Sequence, residues 1–176
     1  GHTDHALFEG MKVAKRKRDD KKRQPFTHEQ TALMFKELTE NTSGLVRKES
    51  HKWGTLIAMF SGARVNEISQ LHIADIKEED EIWYLHITDE GDSEGKKRVK
   101  ANASRRKVPI HSKLIELGFL DFVDSRKSNE RLFPDFSYTR EAGYGRNLSR
   151  WFNETTFLPK LGIKTDQLVF HSFRHT

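Results

Sequence analysis

The sequence predicts an α+β domain, mainly α, with one small three-stranded antiparallel sheet. Two patterns lead there. Apolar stripes at helical spacing occupy the chain up to Leu71 and again from Ser112 onward. Between them lies a single cluster of strand-like runs, over residues 82 to 110. A length of 176 residues, 35% of them hydrophobic, suits one domain with a sizeable core.

The elements follow in order. Gly1 to His5 are set aside as a tag residue and a frayed start, and residues 1–24 as a whole read as a basic interdomain linker closed by Pro25. The domain then spans 25–176. Thr27 and Gln30 form a capping-box pattern, and the helix behind them carries Leu33, Met34, Phe35 and Leu38. Asn41 to Gly44 ends it. Trp53, Leu56, Ile57 and Phe60 mark a second helix, stopped by Gly62. A short helix from about Val65 to Leu71 buries Ile68 and Leu71. Residues 82–88, 96–101 and 105–110 are the three expected strands, with a turn at Gly91 to Gly95. Ser112 is the expected cap of a helix carrying Leu114, Ile115, Leu117, Leu120 and Val123. A further helix runs from Arg146 to about Thr156, with Leu148, Trp151 and Phe152 inward. Val169 to Thr176 reads as a loop entering a helix. No internal repeat is visible.

Composition removes several classes of function. There is no cysteine, which excludes disulfides, thiolate catalysis and Cys-ligated zinc, and fits a cytosolic protein. The mean hydropathy is −0.78. No apolar run approaches the roughly 18 residues of a membrane span, and no signal-peptide pattern is present. The net charge of +5 is concentrated: Lys12 to Arg23 hold eight Lys/Arg against two Asp. A second basic block, Lys96, Lys97, Arg98, Lys100, Arg105, Arg106 and Lys107, contains no acid. Two such blocks on a nearly neutral body point to a polyanion, most often nucleic acid; the plainer reading of each is a solvated charged segment.

Three constellations carry chemistry. Arg64 follows a helix-ending glycine and precedes Glu67 by three positions. It either points into a cleft or pairs with Glu67 on the surface, worth tenths of a kcal/mol. His171 and Arg174 are three apart and share a helical face, which suits proton transfer beside a phosphate; a packing histidine is the bland alternative. His171 and His175 also have the spacing of a zinc helix, but no third ligand is evident nearby. Lys100 to Ile110 places Lys100 and the arginines on a hairpin or its tip.

Taken in order, these pieces resemble the catalytic domain of the tyrosine recombinases, in particular phage-type integrases. Ser61-Gly62-Ala63-Arg64-Val65-Asn66-Glu67-Ile68 looks like the family's first-arginine box. Lys100 through Ile110 resembles its lysine hairpin followed by Ser-x-Arg-x-Val-Pro, with Lys97 as the reserve lysine. His171 to Thr176 matches the His-x-hydrophobic-Arg-His-Thr box, and Pro25-Phe26-Thr27 the usual entry to the domain. The family's nucleophilic tyrosine lies beyond that last box. Tyr84, Tyr138 and Tyr144 are all upstream and match no family position. The expectation is a catalytic domain incomplete at its C-terminus, with no nucleophile in this chain.

The resemblance implies a fold of the DNA breaking-rejoining type and site-specific DNA recombination, as in phage or mobile-element integration and excision. A tyrosine would attack a phosphodiester to give a 3′-phosphotyrosyl link. Arg64 and Arg174 would clamp the phosphate, Lys100 would protonate the leaving 5′-oxygen, and His171 would assist at the nucleophile. Glu67 and His175 would support them. Lys96, Lys97, Arg98, Arg105, Arg106 and Lys107 would contact DNA. The bond energy is conserved in the covalent link, so no cofactor and no metal is implied. The partners implied are duplex DNA and further copies of the chain as a tetramer, in the cytoplasm at the nucleoid and away from membranes. A DNA-binding module without catalysis is the main alternative. An RNA-binding domain is a weaker one, since no aromatic stacking motif is evident.

The charge pattern predicts weak, salt-dependent binding of duplex DNA with little sequence preference. In a titration at several salt concentrations, log K should fall by about 0.9 per phosphate contact for each unit of log salt. Deleting residues 12–23 should reduce that slope; a flat salt response would remove the electrostatic model.

Overall fold

A computed structural model describes residues 23–164 and 166–176; the expected linker falls outside them up to residue 22. Helix α1 (His28–Glu40) starts as its sequence requires. The Thr27 hydroxyl accepts from the Gln30 amide at 3.2 Å, and the Gln30 side chain accepts from the Thr27 amide at 3.0 Å. Asn41 ends the helix in the left-handed region, and its side-chain amide bridges to both backbone groups of Val46. The buried Glu37 gathers the following turn, accepting from Thr42, Ser43 and Leu45.

Helix α2 (Glu49–Ser61) is the centre of the fold. Trp53 through Ala58 are all buried, so this helix is covered on most sides. A Cβ on Gly54 would come within 2.7 Å of Leu148, which is why the helix carries no side chain there. Gly62, at φ 60°, terminates α2 and turns the chain into α3 (Val65–Ser69).

The sheet has three antiparallel strands in the order β1 (Ile76–Glu79), β2 (Ile82–Ile87), β3 (Arg106–Pro109). Ile76 pairs with Leu85, and Leu85 with Val108. The sheet is thus three-stranded as expected, but one strand differs. Residues 96–101 are not a strand. Their backbone donors go to side chains: Asp92 accepts from the amides of Lys96 and Lys97, and Gln70 from that of Arg98. The third place is taken by β1, joined to β2 through Asp80 and Glu81, both at positive φ.

After the sheet, the expected single helix is two, α4 (Ser112–Glu116) and α5 (Phe119–Ser125), parted at Gly118 with φ 91°. The cap of α4 is His111, whose Nδ1 accepts from Lys113, and not Ser112. Helix α6 (Arg146–Arg150) continues into a π-turn over Trp151–Thr155, followed by α7 (Phe157–Lys160). The C-terminal box forms a 3₁₀ helix over Phe170–Arg174, with the Val169 amide capped by Ser172 Oγ. No described helix is long and apolar enough to cross a membrane.

Aromatic rings dominate the core. Phe152 is fully buried and meets Phe157, Phe170 and Phe173 with centroids 5.4, 5.2 and 5.5 Å away. Phe173 in turn meets Phe26 at 4.9 Å. Each such contact adds roughly 0.5–1.5 kcal/mol to simple area burial. Phe152→Ala should therefore cost about 3–5 kcal/mol in chemical denaturation.

His51 is stacked on Trp151 at 4.3 Å and is buried. Burial, and then the nearby Lys48, lower its pKa from 6.5 to about 4, although Asp135 opposes them. The fold therefore favours the neutral ring. That contribution is complete above about pH 6.5 and is lost as pH falls toward 4. Denaturation across this window should show a loss of order 2–3 kcal/mol that His51→Phe abolishes.

Candidate active site

The site is built around one buried carboxylate. Glu67 is 3% exposed and sits on α3, one turn past Arg64. Its Oε2 accepts the Arg64 backbone amide at 2.8 Å, capping the short helix, while Oε1 accepts Arg64 Nη1 at 2.7 Å. From the sheet, Arg106 places Nη2 3.0 Å from Oε2 and Nη1 3.4 Å from Oε1. Burial pushes the Glu67 carboxyl up, but the hydrogen bonds from Arg106 and then Arg64 outweigh it and hold the group below its ordinary range. The negative charge is thus kept, and with it the position of two guanidiniums. Both remain about a third exposed, at 32% for Arg64 and 31% for Arg106.

The C-terminal box docks on the same turn. Arg174 Nη1 donates to the Gly62 carbonyl at 2.7 Å. Gly62 is needed here for its φ of 60°, which makes the turn, and a Cβ on it would meet the Phe173 carbonyl only at ordinary contact distance. Thr176 Oγ1 donates to the Ser172 carbonyl and accepts from the Phe26 amide, fixing the segment at both ends. His171 and Arg174 are exposed while Ser172 and Phe173 are buried. The His171 imidazole is held below its ordinary pKa by partial desolvation, then by Arg174, His175 and Arg64. The rings of His171 and His175 lie 5.6 Å apart.

Two open cavities flank this arrangement. One, of about 230 Å³, is lined by Arg64, Glu67, Arg98, Lys100 and Glu141. The other, of about 450 Å³, is lined by Gly62, Arg106, Phe173 and Arg174. Lys100 therefore shares a cavity with Arg64, and Arg106 shares one with Arg174.

The remaining basic residues are less free than the sequence suggests. Lys97, read as a DNA contact and as the reserve lysine, points inward. It is 6% exposed and donates to both oxygens of Asp75, at 2.8 and 3.1 Å, and to the Glu90 carbonyl. This corrects its reading as a surface contact: a paired, buried ammonium is costly to withdraw. Arg105 pairs with Asp89 at 2.7 Å, Lys96 with Glu94 at 2.6 Å, and Lys107 with Glu79. These are surface pairs, weak enough to exchange for a phosphate. Arg98 donates to the Arg140 carbonyl. Two participants went unread in the sequence: the pairing of Arg106 with Glu67, and Ser104, whose hydroxyl lies 3.5 Å from Arg64 Nη1. The Ser-x-Arg spacing at residues 104 to 106 was the available signal.

No protein-family model matches the chain, and no curated protein matches it. Solved structures do. The XerH site-specific recombinase bound to palindromic difH substrate, in a post-cleavage complex, aligns with a TM-score of 0.58 at 17% identity, covering 86% of this chain and 40% of that one. The pre-cleavage complex of XerH with difH gives 0.57 at 17% identity, covering 86% and 41%. The fold is that of a tyrosine recombinase catalytic domain. At this identity the likeness is one of fold, and the chain spans about 40% of the length of those recombinases.

Within this fold, Glu67 is expected to be the residue the site least tolerates losing. Glu67→Ala leaves two partly exposed guanidiniums without their shared acceptor and should cost about 1–3 kcal/mol. Because the folded carboxyl titrates below 4.5, its contribution is present above that pH and is lost as pH falls below it. The stability gap between wild type and Glu67→Gln should therefore narrow between pH 7 and pH 3.

Proposed function

We propose that this chain is the phosphate-binding part of a tyrosine-type site-specific DNA recombinase, acting by transesterification on duplex DNA. The observation that carries the reading is the convergence on the turn at Gly62 to Arg64. Glu67 aims Arg64 and Arg106 from one side, and the Gly62 carbonyl holds Arg174 from the other. Planar, permanently charged guanidiniums gathered around one turn suit a phosphodiester whose non-bridging oxygens gain charge at the transition state. The two XerH structures are DNA complexes of a recombinase of this fold, which supports the same partner here.

The roles follow from position. Arg64 and Arg174 bind the scissile phosphate. His171, neutral at pH 7 because its pKa is lowered, accepts a proton from the attacking hydroxyl. Lys100, in the cavity with Arg64, protonates the leaving 5′-oxygen. The tyrosines of this chain do not take the nucleophile's part. Tyr144 is buried with Arg131 over its ring, Tyr84 lies on β2 beside Lys107, and Tyr138 packs against Tyr144. The attacking tyrosine is proposed to lie outside these 176 residues, and copies of the protein to assemble on DNA. Phage or mobile-element integration and excision are the processes this chemistry serves.

The test is cleavage of a suitable site by a longer protein carrying that tyrosine. Arg64→Ala or Arg174→Ala should each lower the cleavage rate by roughly 10²–10³ with folding intact. Lys100→Ala should be rescued by a 5′-phosphorothiolate substrate, whose leaving sulfur needs no proton. The 176-residue chain alone should form no covalent DNA adduct. A DNA-binding module without catalysis would instead bind DNA and show no cleavage in any of these proteins.

A further inference from the structure

We infer that His72, Asp92 and Glu130 form a binding site for a divalent transition metal of the zinc type. One ligand atom from each residue lies within 4.8 Å of the other two. All three line a cavity of about 410 Å³ that shares no residue with the two cavities at Arg64 and Arg174. The inference does not rest on the recombinase reading.

The decisive group is His72. It is 3% exposed and faces this cavity, yet its imidazole makes no hydrogen bond among the described residues. Its nearest acidic contact is Glu130 Oε1, 3.6 Å from Nδ1, too long for a hydrogen bond. Its ring nitrogens are not sealed off from the cavity, so a lone pair is open to an incoming ion.

The backbone holds the other donors in place. Residues His72 and Arg131 form an antiparallel bridge, with the Ile73 amide donating to the Glu130 carbonyl at 3.0 Å and the Leu132 amide to that of Leu71 at 2.8 Å. Asp92 is fixed by the amides of Glu94, Lys96 and Lys97. The cations that line the cavity already have partners around its wall. Arg131 donates to the carbonyls of Phe133, Pro134 and Phe136, and Lys96 pairs with Glu94.

One imidazole nitrogen and two carboxylates suit Zn²⁺ or Co²⁺ and leave room for water. Mg²⁺ and Ca²⁺ prefer oxygen ligands alone. Bonds of about 2.0 Å require the ligand atoms to close up around the ion, and exposed Glu130 is the one free to swing inward. An ion here would staple the segment from Asp92 to Arg98, which leads into Lys100, to the segment at Glu130.

The test is a Co²⁺ titration of chelator-stripped protein, followed by visible absorption and by competition with Zn²⁺. One ion should bind per chain at this site, with broadening of the His72 ring resonances. Glu130→Gln should weaken binding by about tenfold or more, with an unchanged circular dichroism spectrum because its side chain is exposed. Asp92→Asn should weaken it likewise, and His175→Gln should leave it unchanged. The proposal is overturned if Glu130→Gln titrates like wild type, if the His72 resonances do not move, or if His175→Gln is the variant that abolishes binding.

Discussion

A carboxylate taken out of water is tolerated only when its charge is answered, and Glu67 is answered twice. Arg64 reaches it from its own turn and Arg106 from the sheet. This ties α3 to β3 and makes the position of each guanidinium depend on the other. Neither arginine is buried enough to be lost to solvent, and neither is free enough to wander. A flexible cation is converted into a directed one, with the ordering cost met during folding and not when an anion arrives. The helices and the sheet matter to the site chiefly because they bring these three residues together.

The second constraint is aromatic. Buried Phe170, Ser172 and Phe173 are interspersed with exposed His171 and Arg174 along five residues of 3₁₀ helix. Packing Phe173 against Phe26 and Phe152 fixes the backbone from which His171 and Arg174 project. The core and the site are therefore one construction here, and a loss of packing at Phe152 displaces polar groups that never touch it.

What could be read in advance was local. The capping box at Thr27, the stop at Gly62 and the three-residue step from Arg64 to Glu67 all depend on neighbours in sequence. What escaped depends on partners far along the chain. Arg106 meets Glu67 across 39 residues, and the Ser-x-Arg spacing marks the arginine without naming its partner. Strand β1 shows only Ile76 buried, with Lys77, Glu78 and Glu79 exposed, so its alternation is hidden. Residues 96–101 look like a strand, but Asp92 and Gln70 take the amides a neighbouring strand would have used. Lys97 looks like surface charge because nothing nearby reveals Asp75, 22 positions earlier.

The bond from Arg174 to the Gly62 carbonyl joins residues 112 positions apart, and the Thr176 hydroxyl meets the Phe26 amide across 150. Contacts of such separation require nearly the whole chain to be ordered before they reward it. The C-terminal turn is therefore a late closure. Glu67 places Arg64 and Arg106, yet Arg174 joins them only once the turn at Phe170–Arg174 has docked. The grouping of these guanidiniums is in this sense a product of long-range folding, and a partly unfolded chain holds the same charges without the geometry that brings them together.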